Sequence, residues 1–385
     1  MSARRVLFVF AWLVVGGEET EVRLLAQHLD PARYTVEVVA CLHRPGMPDQ
    51  THAQLAALGV PVDCTPYQLS FEDTVAYLAA KLPDYDLVVA CQAVPDIYPA
   101  LARCARPPPL IEHGGLVSEA RAGAKDRTAR YIGVCESIQA AAAARFPERP
   151  HHALQIPSMV DMAAADPADR PTVRAELGIA AATPLIGWVG RLDRKKRVED
   201  VIHAAALLRA TQPQARWLII GGPDAFMPEY AAELRQLAHD LGLDDTLQFL
   251  GDRADVPRLM TGLDAFVWLS QDEGMPHVIA EAGAAGLPVV ATCDNGSAEQ
   301  IIDGVSGLFV PHQAPAAVAI ALQRLLADPA LRARLGSNLQ QQVARAYSAA
   351  VVVPQWQAVF DTVIAEAQEE LSYAAHPHPH AVRDR

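Results

Sequence analysis

The chain has 385 residues, with 32 Lys and Arg against 45 Asp and Glu and a formal charge of −13. This length exceeds one ordinary core and divides naturally into two α/β domains, while 51% hydrophobic and 20% charged residues exclude a disordered chain. Basic residues number 14 against 18 acidic ones through Ala165 and 18 against 27 beyond it, so neither half offers the positive surface that nucleic acid requires.

The basic start Arg4-Arg5 and the apolar run Val6–Val15 have the outline of a signal peptide. No small-x-small cleavage site follows, and the run leads into Gly16-Gly17, so we read it as a buried strand. Further strand-like runs are YTVEVVA, DLVVA, PPLIEH and YIGVC, with helix-period segments such as EETEVRLLAQHL and FEDTVAYLAAKL between them. The alternation predicts a parallel sheet covered on both faces over residues 1–165. It breaks at Met162–Pro171, a small, polar, proline-bearing linker. It restarts over 172–350 with PLIGWVG, RWLIIGG, TLQFLG, DAFVWLS, LPVVAT and GLFV as strands. Two such units predict two facing doubly wound domains with a cleft between them. A helix over 351–372, bearing Trp356 and Phe360, is expected to pack back towards the first domain, and 373–385, with His376, His378 and His380, to be a mobile tail.

The six cysteines form no CxxC pair, which points to reduced thiols in a cytoplasmic protein rather than to disulfides or zinc. No apolar run is long enough to span a bilayer.

Chemistry concentrates in Glu273–Thr292, EGMPHVIAEAGAAGLPVVAT. A buried strand, Ala265–Ser270, precedes it, and Pro276 suits the first position of a helix. A helix N-terminus at the carboxyl end of a parallel strand attracts phosphate through its free amides. Glu281 lies five residues into that helix, ~7–8 Å along its axis, about the reach from a diphosphate to the far side of a ribose. In GRLDRKK, Arg191 and Lys196 follow a strand ending at Gly190 and project where phosphates would sit. Such cations stabilise the charge that builds on a departing diphosphate. Arg194, Lys195 and Arg197 are read as a solvated helix start.

Four ordered pieces in the second half, GRLDRKKRVEDVI (Gly190–Ile202), LIIGGPD (Leu218–Asp224), LQFLGDRADVPRLM (Leu247–Met260) and the Glu273/Glu281 pair, resemble the retaining family 4 glycosyltransferases (glycosyl transferases group 1) of the GT-B fold, with EQIIDGVSGLFVP following in the family's usual place. The first half adds Gly16-Gly17 with Glu19, EHGG at 112–115, VCES at 134–137 and IPSMVD at 156–161. The resemblance implies a hexosyl transfer from a nucleotide-diphosphate sugar, with UDP- and GDP-sugars the expected donors, and no cofactor or metal. It assigns the diphosphate to Arg191 and Lys196, the ribose to Glu281, and the sugar to Glu273 and His113. Gly16 and Gly17 fall at the donor–acceptor junction, and Gly274, Met275, His277 and Val278 around the sugar and diphosphate. The base falls to main chain near Gly251 and Asp252. Arg197 stands where the family usually has glycine.

The acceptor, whether a sugar, a lipid or a small molecule, is not named by these residues. The segment Gly115–Arg130 carries Arg121, Lys125, Arg127 and Arg130. It is read as a solvated helix, with weak peripheral contact at the inner face of a membrane as the alternative. The rival functions are a nucleotide-sugar epimerase or hydrolase of the same fold and a non-catalytic nucleotide-sugar-binding subunit.

Overall fold

The computed structural model describes residues 3–92 and 94–375; the three tail histidines lie outside the described residues. Seven strands form the first sheet: β1 Arg4–Trp12, β2 Tyr34–Leu42, β3 Val62–Asp63, β4 Leu87–Cys91, β5 Leu110–Gly114, β6 Thr128–Gly133 and β7 Ala153–Gln155. Their order is β3-β2-β1-β4-β5-β6-β7, and every pairing is parallel. Six more form the second: β8 Leu185–Val189, β9 Arg216–Ile220, β10 Leu247–Gly251, β11 Ala265–Trp268, β12 Val289–Thr292 and β13 Leu308–Val310. Their order is β10-β9-β8-β11-β12-β13, again parallel throughout. β4, β8, β11 and β12 are buried at every position, as strands covered by helices on both faces must be.

In each sheet the strand order reverses once, between β1 and β4 in the first and between β8 and β11 in the second. Loops leaving adjacent strands at such a reversal diverge to opposite faces and open a crevice at the carboxyl ends. The loops after β1, β8 and β11 therefore reach the site, joined by those after β5, β9 and β10.

The linker Met162–Pro171 is made of single 3-10 turns, Met162–Ala164 and Pro167–Asp169, before the helix Arg170–Glu176 begins. Asp161 and Asp166 each accept the amide two residues on, which sets these turns. The chain crosses back near Ser348, and the two crossings are hydrogen-bonded side by side, Val160 N–H to Tyr347 O at 2.8 Å and Ala349 N–H to Val160 O at 2.9 Å.

After the return crossing, the helix Ala349–Ala375 lies on the first sheet. Trp356 and Phe360 are fully buried there, with Phe360 edge-on to Phe8 and Tyr34 at centroid distances of 6.5 and 5.8 Å. Asp361 anchors the same helix by accepting from Tyr34 Oη and pairing with Arg4 and Arg33. Among the described residues no helix is long and apolar enough to cross a membrane.

Candidate functional site

The carboxyl ends of the two sheets face each other across a cleft of about 900 Å³, a volume suited to a substrate rather than to solvent alone. Gly16, Gly17, His113, Arg191, Lys196, Glu273, Gly274, Met275, His277, Val278 and Glu281 all line it. Gly251 does not. Its amide oxygen accepts the Gly221 N–H at 2.8 Å and its φ is +69°, so it turns the chain out of β10 and ties it to β9. Asp252 and Arg253 line the cleft in its place.

The loop after β8 presents the cations. Lys196 Nζ lies 2.7 Å from Glu273 Oε1 and 5.0 Å from the centroid of Trp268, itself stacked on Trp188. Burial raises the Glu273 carboxyl, but Lys196 overrides this and holds it below the usual range. Arg191 pairs at 2.7 Å with Asp224, a buried residue of the LIIGGPD segment that the sequence reading had not singled out. Lys195, expected to be a solvated neighbour, lines the cleft, and across it burial raises the Glu119 carboxyl against the opposing charge of Lys195. Arg194 does belong to the exterior, pairing with exposed Glu233.

Arg197 has φ +51° and ψ +44°, the left-handed conformation that glycine adopts without cost. Asp200 and Glu199 hold its guanidinium at 2.9 and 2.7 Å. Backbone strain of about 1 kcal/mol is thus set against two partly exposed ion pairs. Arg197→Gly should therefore stay within about 1 kcal/mol of the parent in thermal or urea unfolding, whereas Arg197→Ala, which keeps the strain and loses the pairs, should fall about 1–2 kcal/mol lower.

The loop after β11 is tied down from two sides. Asn295 Nδ2 donates to Glu273 O at 2.8 Å and Gly296 N–H to Gly274 O at 2.7 Å. Ser158, in the crossing segment, donates to Met275 O at 3.1 Å. The helix begins at His277, so Pro276 is its capping residue rather than its first, and the Pro276 carbonyl accepts Gln300 Nε2 at 3.2 Å. Gly274 touches the other lobe: a Cβ there would lie 2.2 Å from Gly115 O.

His277 is buried, bonded through Nδ1 to Met159 O at 3.0 Å, and desolvation lowers it to about 4. It is an uncharged brace between lobes, with no sign of acid–base duty. Glu281 is pushed up to about 7 by burial, with Arg23 of the first lobe pulling the other way.

His113, the penultimate residue of β5, lines the floor of the cleft edge-on to Trp356 at 5.2 Å. Burial lowers it to about 3, so it is neutral, and its Nε2 has no partner. Beside it stands a set of carboxylates, of which Glu19 was marked by the first-half motifs and Glu18 and Glu119 were given no part in the site. Glu18 and Glu119 both accept the Gly115 N–H at 2.8 Å, and Glu19 accepts Val14 N–H at 3.2 Å and Gln92 Nε2 at 2.9 Å. Glu18, Cys91 and His113 bring potential ligand atoms within 4.8 Å of one another.

The basic segment Gly115–Arg130 departs from its reading as a solvated helix. Only Val117–Arg121 is helical; Lys125 is buried on Glu112, and Arg130 on Glu366 of the last helix. Arg121 and Arg127 alone of its four cations remain exposed, too few for a membrane-facing patch.

Residues 169–342 match the family model described as glycosyl transferases group 1. A D-inositol 3-phosphate glycosyltransferase of Corynebacterium urealyticum is 36% identical over 176 residues, 45% of this chain and 42% of that protein. One of the same name from Geodermatophilus obscurus is 32% identical over 236 residues, 59% of this chain and 50% of that protein. The chain thus spans half or less of the length of these relatives. Among solved structures, Anabaena Alr3699/HepE in complex with UDP and glucose superposes with a TM-score of 0.81 at 22% identity, over 93% of this chain and all of that one. At that identity the likeness establishes the fold: two facing Rossmann-like domains of the GT-B type.

Proposed function

We propose, from the premise that residues 169–342 match the glycosyl transferases group 1 family model, that this chain is a retaining glycosyltransferase moving a hexose from a nucleotide-diphosphate sugar to an acceptor hydroxyl. The observation that carries the reading is the convergence of Arg191, Lys195 and Lys196 with the N-terminus of the helix His277–Ala284 on one cleft, at the strand-order reversal of the second sheet. Cations and free amides meeting there suit a diphosphate, and its binding would draw Arg191 and Lys196 away from Asp224 and Glu273.

In this reading the acceptor oxygen bonds to the anomeric carbon as the bond from that carbon to the phosphate oxygen breaks. The electron pair leaves with the diphosphate, which also takes the acceptor's proton on the same face. No protein base is required, in keeping with a neutral, bonded His277 and a Glu273 occupied by Lys196. Glu273 and His113 orient the sugar, and Glu281 accepts the ribose hydroxyls. Side-chain cations take the role a divalent ion plays elsewhere. Transfer should accordingly persist in excess EDTA; loss restored by Mg²⁺ or Mn²⁺ would refute the metal-independent mechanism. Free cysteines throughout the described residues fit the cytoplasmic setting we propose.

A thermal-shift panel of UDP-, GDP- and ADP-sugars tests the donor, because a ligand that binds the folded chain stabilises it by mass action. A silent panel removes the reading. Nucleotide release that ignores added acceptor turns it into a hydrolase or epimerase.

Donor affinity should depend on pH through Glu281. With its carboxyl near 7, about a tenth is ionised at pH 6 and about nine-tenths at pH 8. If the carboxylate is the competent form, the dissociation constant falls nearly tenfold over that span. Titration calorimetry at both pH values, with Glu281→Gln giving a flat profile, checks this.

A further inference from the structure

We propose that the acceptor presents uncharged or ammonium hydrogen-bond donors to the first-lobe wall and carries no phosphate there, an inference that rests on the glycosyltransferase reading above. Glu18, Glu19 and Glu119 line this wall together with Asp161. Among the described residues, Arg23 is the one Lys or Arg that the first lobe adds to the lining, and it is partly buried there with Glu281 and Asp161 as neighbouring opposite charges.

Two buried atoms on the wall await a partner: Glu18 Oε2, on a residue 9% exposed, and His113 Nε2, on one 3% exposed. Glu18 already accepts Gly115 N–H through Oε1, so its second oxygen is free for a ligand O–H or N–H. A neutral imidazole bonds a hydroxyl as donor or acceptor, whichever its tautomer requires. Burying either atom unsatisfied is costly, and a polyol relieves both.

Burial raises the carboxyls of Glu19 and Glu119, and the charges that act against that rise lie across the cleft, Arg191 for Glu19 and Lys195 for Glu119. Those are the cations assigned to the donor's diphosphate. Once the donor is seated they are shared with it, and an acceptor enters between an anionic leaving group and an anionic wall. A hydroxyl or ammonium group is drawn in, whereas a phosphate is opposed from both sides. Burial, and then the neighbouring Glu119 and Glu19, push the Glu18 carboxyl well up, a sign of how closely acidic groups crowd this wall.

The test uses the full chain with whichever nucleotide sugar the donor panel selects, and measures transfer to myo-inositol, glucosamine and D-inositol 3-phosphate. At least one of the first two should be used with kcat/KM tenfold or more above the phosphorylated cyclitol. In Glu18→Gln/Glu119→Gln that ratio should shrink several-fold, while the donor-induced shift in melting temperature, read separately, confirms an intact fold and donor site. Equal or better use of the phosphorylated acceptor, or no use of either unphosphorylated one, overturns the inference while the donor shift leaves the glycosyltransferase reading standing. A silent donor panel sinks both.

Discussion

Lys196→Ala should lower transfer by about 10²–10³-fold, the loss typical when one fixed donor is removed from a developing anion. Lys196 is held by Glu273 and by the Trp268 ring, and its loop is tied down through Lys195, whose carbonyl oxygen accepts the Gln271 N–H at 2.9 Å. The cation is therefore positioned before the donor arrives, and its effect is paid out where charge builds on the leaving group. The expected signature is a fall in kcat and kcat/KM together, since the contact strengthens in the transition state. Glu273, deprived of the charge that holds its carboxyl low, takes up a proton rather than unfolding the loop. Steady-state kinetics beside a thermal melt decides the matter: turnover near that of the parent would remove Lys196 from the machinery.

The largest effect on stability is expected at Trp356, far from that chemistry in sequence. Trp356→Ala should cost about 3–5 kcal/mol in urea unfolding. The indole is fully buried, edge-on to Phe360 at 5.7 Å and to His113 at 5.2 Å, and its Nε1–H donates to Glu21 Oε1 at 3.0 Å. Trp356→Phe keeps most of the packing and loses the bond, and should cost about 1–3 kcal/mol, because Glu21 is left buried without that donor. If the alanine variant unfolds with the parent's midpoint and slope, the helix is an appendage and not part of the first lobe's core.

How far the sequence disclosed this molecule depends on the range of the interactions involved. The six strands of the second sheet each match an apolar run, and in β8, β11 and β12 burial on both faces writes itself as local hydrophobicity. β3 and β7, two and three residues long, leave no such trace. The cleft residues on single loops were legible, since motif and loop coincide. Pairs that form only on folding were not. Lys125 reads as a surface charge until β5 sets Glu112 against it, and Arg130 until the last helix supplies Glu366. Glu18, Glu119 and Lys195 meet across two lobes, and Asp224 reaches Arg191 from the neighbouring strand's loop. Arg197 is instructive in the opposite sense: the departure from glycine was visible, and the structure retains the left-handed turn that glycine would favour.

The helix Ala349–Ala375 completes the core of a lobe whose strands end some two hundred residues earlier, at Gln155. On the ribosome, β1 to β7 must therefore wait with the seat of Trp356 and Phe360 uncovered while the remainder is translated. The lobe made second has its own core in hand by Tyr347. A nascent chain stalled before Trp356 should expose that apolar seat and be a client for chaperones, and an early stop codon there would spoil the half of the protein it leaves untouched.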